Sequence, residues 1–167
     1  YAEGEREKAY ASACARFQTV ISELMEELPL LKSNVCQAHQ QPQGDIALSM
    51  YNAVQHFSDF GYVTPMAAVA GAIADEILDA MKQAGELKRA YVNNGGDIAI
   101  FLSKGTSFET LISRIDGSVI GRITINQTQS IGGLATSGRH GRSMSLGIAD
   151  SVTVLGRSAA LADVSAT

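Results

Sequence analysis

The 167-residue chain has no tryptophan, two cysteines, 18% charged residues and no apolar run near the ~20 residues that a membrane-spanning helix needs. Each shortage excludes something. Without a long apolar run there is no spanning helix, and the opening YAEGEREKAY is charged rather than signal-like. Cys14 and Cys36 supply neither a disulfide framework nor the spacing of a metal site, which predicts a reducing, cytoplasmic setting. Thirteen Lys and Arg against 17 Asp and Glu leave a net charge of −4, and no basic run is present. Nucleic acid and anionic membranes are therefore excluded as partners, whereas a small phosphorylated ligand is not. The missing tryptophan decides nothing.

What is present is enough for one core: 46% of the residues are hydrophobic, so a single domain over 1–167 is expected. The chain starts at Tyr1 and stops at Thr167 inside SAALADVSAT, a helix-like run with Ser158 as its N-cap, and is expected to be part of a longer product. From Glu3 to Leu28, the residues Tyr10, Cys14, Phe17, Ile21, Leu24 and Leu28 recur three or four apart. That spacing predicts one long amphipathic helix stopped by Pro29, with Cys14 in the core and the stripe packed on a sheet or on a second copy in a homodimer. A second helix is expected over Asp45–Phe57 and a third over Pro65–Ala84, the latter capped by Thr64 and stopped by Gly85. The small residues of MAAVAGAIAD suit either close backbone packing or the border of a ligand.

After Leu87 the period changes to two. AYVN, DIAIFL, FETLISRI and SVIGRITI read as strands, with Asp116-Gly117 as a hairpin turn; LATS and DSVTVLG follow as shorter ones. Helices followed by hairpin-joined strands predict an α+β fold with an antiparallel sheet.

Three stretches suggest chemistry. In NNGGD, Asn94, Gly95 and Gly96 can take positive φ and bare consecutive amides for a phosphate or ring carbonyl, with Asp97 beside them to accept hydrogen bonds. The same residues also make a short hairpin turn. IGGLATSGRHGRSMSLG carries Thr136, Ser137, Arg139, His140, Arg142, Ser143 and Ser145 among glycines, which suits phosphate oxygens, or else a solvated surface loop. His140 is a candidate acid–base group with no legible nucleophile, while His39 and His56 have no metal-spaced partner. Asp163 and Thr167, four apart on a helix, form a hard-oxygen pair of the kind Mg2+ takes.

TPMAAVAGAIAD, VNNGGDIAI, GLATSGRHGRSMSLGIADSVTVL and ALADVSAT occur in the order and spacing of the ApbE-like superfamily, and most closely resemble its small branch carrying PMAAVAG and NGGDI. The resemblance covers Gly61 to Thr167 and extends to the helices before it. It implies an α+β, T-fold-related domain and, by analogy with Mg2+-dependent flavin transferases, binding of FAD or FMN and transfer of the FMN half of FAD to a protein threonine. Carried over by motif, Gly95, Gly96 and Asp97 fall at the family's flavin-nucleotide segment, Thr136, Ser137 and Gly138 at its TSG, Asp75 at its helical aspartate, and Asp163 and Thr167 at its metal-binding DxxxT. Two departures stand out: Ala70-Gly71 replaces a lysine-glycine pair, and HGRSMSLGIADS replaces a histidine-rich segment ending in Asp-Pro. The same resemblance also implies an alternative, sulfur incorporation into cysteine or homocysteine, for which Cys36 is the better-placed thiol. A non-catalytic homo-oligomeric flavin-binding module is the third expectation.

Overall fold

A computed structural model describes residues 1–37, 40–114, 116–141 and 145–167. His39, Arg142 and Ser143, singled out above, lie outside the described residues. The helices are α1 (Arg6–Glu26), α2 (Leu28–Leu31), α3 (Asp45–Gln55), α4 (Val69–Gln83) and α5 (Ala159–Ala166). The strands are β1 (Ala2–Gly4), β2 (Leu87–Asn94), β3 (Asp97–Leu102), β4 (Ser107–Ser113), β5 (Val119–Asn126), β6 (Gly133–Ser137) and β7 (Val152–Gly156). Five of these strands form an antiparallel sheet in the order β1-β2-β3-β6-β7, and β4 and β5 form a separate hairpin. The architecture is α+β, as the change of period predicts.

Strand alternation decides which layer lies on which face. Ala90, Val92, Ala99 and Phe101 belong to the main core, together with α3, α4 and α5. The intervening Tyr91, Ile98 and Ile100 pack instead with Phe108 and Ile125 of the β4–β5 hairpin. Each face of the sheet thus carries its own apolar packing, and Ala135, Ala162 and Ala166 form a third, smaller cluster. Burying a residue such as Ile125, which is 0% exposed, contributes about 1.5–3 kcal/mol.

The small-residue run of α4 resolves toward close packing. A Cβ built on Gly71 would lie 2.3 Å from the Ala159 carbonyl oxygen, so only glycine lets α4 approach α5 so closely there. Each helix then supplies a carboxylate to the other's first turn. Asp75 of α4 accepts from the Ala159 and Ala160 amides at 3.0 and 2.8 Å, and Asp163 of α5 accepts from the Gly71 amide at 3.0 Å. These bonds satisfy amides that begin a helix and have no partner within it.

Three expectations are corrected. The first helix starts at Arg6, not Glu3, because Ala2–Gly4 pairs as an edge strand with β2. Its large apolar stripe faces outward: Phe17, Ile21 and Met25 are 55%, 65% and 59% exposed, and Cys14 is exposed rather than core. Smaller residues, Ala9, Ala13, Val20 and Leu24, make the inward contact, since Arg16 and Ser12 on that side bond to Glu76 and Ala80 of α4. Finally, Thr64 makes no side-chain cap, and Pro65–Ala68 is a 3-10 turn ahead of α4. At the other end of the chain, the Ser158 hydroxyl does cap α5, accepting from the Leu161 amide at 3.2 Å.

Candidate functional site

A cavity of about 780 Å3 opens where α4, α5 and β3 meet the segment preceding α4. Its wall is mostly apolar, formed by Phe57, Phe60, Tyr62, Val63, Met66, Val69 and Leu146. Phe60 and Tyr62 are 85% and 68% exposed and so remain available to a flat ring. The polar groups are few: Asp97 from the start of β3, Asp163, Ser165 and Thr167 from the end of the chain, Thr64, and Lys32 at the end of α2. An apolar wall with a small convergent polar set is the usual form of a small-molecule site.

Asp97 and Asp163 are 66 positions apart in sequence, yet the antiparallel return of β3 and the α4–α5 clasp bring them to the same cavity. Burial raises the Asp97 carboxyl to about 7, and the nearby charge of Asp163 adds to the effect. Burial also raises Asp163, opposed by the amides of Gly71 and Ala70 that point at it. The Asp163 charge opposes ionisation of Asp97, and a divalent cation beside the two would relieve it. Their hard oxygens, with the Thr167 hydroxyl nearby, fit Mg2+, which takes one or two protein carboxylates and completes its shell with phosphate and water. The Thr167 hydroxyl is 3.1 Å from the Asp163 main-chain oxygen, to which it donates. Among the described residues, no group of three or more His, Cys, Asp or Glu gathers for a closed metal site.

The remaining sequence-chosen residues divide. Gly95 and Gly96, at φ of 72° and 121°, form the two-residue turn between Asn94 and Asp97, which are paired across the hairpin. A Cβ at either glycine would meet nothing within 4 Å, so neither is pressed against another surface. The Gly96 amide is already taken by the Asn93 side chain at 2.9 Å, and Asn94 donates to the Ala70 carbonyl at 3.1 Å. The turn therefore holds β2 to α4 and delivers Asp97 to the cavity. Neither glycine lines it.

Asp75 is committed to the α5 amides one turn further along α4, with its carboxyl raised to about 6 mainly by burial. Thr136 pairs with Thr153 at 2.9 Å, and Gly138 is buried against the Asp150 backbone. The Ser137 hydroxyl is buried without a partner among the described residues. Arg139 and His140 converge on Asp150 at 3.1 and 3.3 Å, so both are occupied on the surface. What the glycine-rich loop gives the cavity is Leu146. Its amide, with the Ser145 hydroxyl, also fastens the Thr167 main-chain oxygen at 2.8 and 3.1 Å.

The Cys36 thiol donates to the Ser58 carbonyl at 3.0 Å, outside the cavity lining. His56 lies in a separate, more open cleft of about 410 Å3 beside Asp45 and Ser158. Sequence reasoning missed Phe57, Phe60, Tyr62 and Lys32. The aromatic spacing of HFSDFGY just ahead of Thr64-Pro65 was the available signal.

An antiparallel sheet backed by two clasped helices, with an acidic pair beside their contact, makes an α+β protein. A family model described as AbpE bacteria matches residues 1–167, and the chain belongs to that ApbE-like family. It is similar to the UPF0280 protein of Methanothrix thermoacetophila, 45% identical over 117 residues, which are 67% of this chain and 47% of that protein. The UPF0280 protein of Methanobrevibacter smithii is 36% identical over 129 residues, 77% of this chain and 52% of its own length. That of Archaeoglobus fulgidus is 37% identical over 124 residues, 74% and 48% respectively. The chain spans about half the length of the curated relatives it matches. No helix among the described residues is long and apolar enough to cross a membrane.

Proposed function

We propose that the cavity binds a flavin nucleotide, FAD or FMN, together with one divalent cation, Mg2+. The observation carrying this reading is the meeting of Asp97 and Asp163 beside an exposed aromatic wall in one cavity. An isoalloxazine or adenine ring needs a flat apolar surface, which Phe60, Tyr62 and Met66 provide. Phosphate oxygens need positive charge at the other end. When bound, the cation supplies that charge and polarises a phosphorus–oxygen bond.

The chain's own residues do the rest. Asp97 and Asp163 hold the cation, the Gly71 amide keeps the Asp163 carboxylate oriented, and Lys32 is the lining cation able to meet a phosphate directly. With these groups the reaction best suited is attack at the flavin-side phosphorus of FAD. The pyrophosphate bond breaks, AMP leaves with the bridging oxygen, and FMN passes to water or to a protein hydroxyl, whose proton is lost.

Incubating the protein with FAD and MgCl2, while following flavin fluorescence and AMP by chromatography, tests both parts. Saturable quenching that requires Mg2+ supports the binding reading, and AMP release supports the reaction. No quenching and no AMP, with or without Mg2+, would remove the proposal.

A further inference from the structure

Nothing in the β2–β3 hairpin requires an amide side chain at position 94. Gly95 and Gly96 take the positive-φ places of the turn, and Asn94 is an ordinary strand residue paired with Asp97. Its side chain instead donates to the Ala70 carbonyl of α4 at 3.1 Å. A carbonyl can only accept, so it is the NH2 end of Asn94 that points there.

That carbonyl belongs to the same planar peptide group as the Gly71 amide, which donates to the Asp163 carboxylate at 3.0 Å. One peptide thus carries Asn94 on one edge and Asp163 on the other. It is also held from behind, since Gly71 lies against the Ala159 backbone with no room for a Cβ. Asp97 has no such hold. No side chain or amide among the described residues donates to its carboxylate, so its place is set by the hairpin, and the hairpin's turn is tied to α4 by Asn94.

We propose that Asn94 is a positioning residue: acting through the Ala70–Gly71 peptide, it sets the separation of Asp97 and Asp163 and so the size of cation that they hold. This role presupposes the cation site proposed above. Mg2+ demands near-octahedral oxygens at about 2.1 Å, whereas Ca2+ accepts longer and less regular shells. Two carboxylates on separate elements meet the stricter demand only where those elements are pinned to each other. Donation to the carbonyl also polarises the peptide, which strengthens the Gly71 amide as a donor to Asp163. A staple for the fold alone would add little, because Ala90, Val92 and Ala99 already join the sheet to the core that α4 shares.

Titrating the metal-free protein with MnCl2, with free Mn2+ read by electron paramagnetic resonance and bound Mn2+ displaced by MgCl2 or CaCl2, tests this. Asn94→Ala should weaken Mg2+ about tenfold and Ca2+ by no more than about threefold, with an unchanged circular dichroism spectrum. Asn94→Leu, which keeps the bulk but has no N–H, should behave in the same way. In nuclear magnetic resonance spectra without metal, the Gly71 amide proton should move upfield in both variants, while the Ala160 amide, which donates to Asp75, stays in place. A wild-type protein that binds no divalent cation would remove the cation site and this role with it. Mg2+ affinity and selectivity kept in both variants would leave the site standing and overturn the role of Asn94 alone. Equal loss of Mg2+ and Ca2+, an unmoved Gly71 resonance, or unfolding of both variants would make Asn94 a staple of the fold and overturn it equally.

Discussion

Asp75 and Asp163 perform the same local task one helical turn apart in one helix pair, each accepting from the first turn of the other helix. Their surroundings separate them. Asp75 accepts from two amides, lines neither cavity, and has burial as the main influence on its carboxyl. Asp163 accepts from the Gly71 amide at 3.0 Å, with the Ala70 amide also pointing at it, and opens onto a cavity that it shares with a second raised carboxylate. A capping carboxylate closed over by its helix is structural. One left facing a cavity beside another acid has coordination to spare.

The largest test of this contrast is Asp75→Ala. It leaves two buried amides without an acceptor and should cost about 3 kcal/mol, a fall of roughly 6–12 °C in melting temperature. Asp75→Asn, which keeps one acceptor and sheds a buried charge, should cost less. In both variants the response to Mg2+ and FAD should survive; if thermal shift assays found it gone, the two carboxylates would not be independent.

Next in size is the aromatic wall. Phe60→Ala and Tyr62→Ala should each weaken FMN binding about tenfold by titration calorimetry, with little change in melting temperature, because both rings are largely exposed in the free protein. A loss of stability instead of affinity would make the wall part of the core.

Smaller but sharper is Asp97→Asn. A carboxyl raised to about 7 holds its proton more tightly folded than unfolded, so it contributes most to stability below the ordinary carboxylate value near 4. That contribution is lost as pH rises through about 7. Removing the charge should therefore raise the melting temperature of the metal-free protein at pH 8 by roughly 2–4 °C, while abolishing stabilisation by Mg2+. At the wild-type pair the smallest effect is the pH trend itself: stabilisation by a fixed Mg2+ concentration should be present at pH 8 and fade toward pH 5, as protonation competes with the metal. Mg2+ stabilisation independent of pH would point to a site without these acids.

Periodicity made α3, α4 and the β2–β3 and β4–β5 hairpins legible, because each is built from contacts close in sequence. It did not show β1, a three-residue edge strand whose partner lies more than 80 residues away. It also found the apolar strip of α1 but not its direction. Small residues such as Ala9 and Ala13 allow a closer helix contact than Phe17 would, and the pattern of apolar positions does not weigh size.

At the site, Asp97, Asp163 and Thr167 were named from sequence and share the cavity, whereas Gly95, Gly96, Asp75 and Thr136 were named with them and lie off its lining. For the glycines, one sequence is compatible with a ligand nest and with a turn, and the bond from the Gly96 amide to Asn93 is not visible in it. The aromatic wall was hidden because it comes from the loop between α3 and α4, where no repeat marks which side chains converge.

Flavin binding at this cavity depends on Asp97 and Asp163 holding a cation together. Crystals of the protein soaked with FAD and MnCl2, with data collected at the manganese edge, address it directly. The prediction is one anomalous peak within coordination distance of both carboxylates, touching a flavin phosphate whose ring lies against Phe60 and Tyr62. A flavin bound elsewhere, or manganese absent from that pair while FAD fills the cavity, would contradict it.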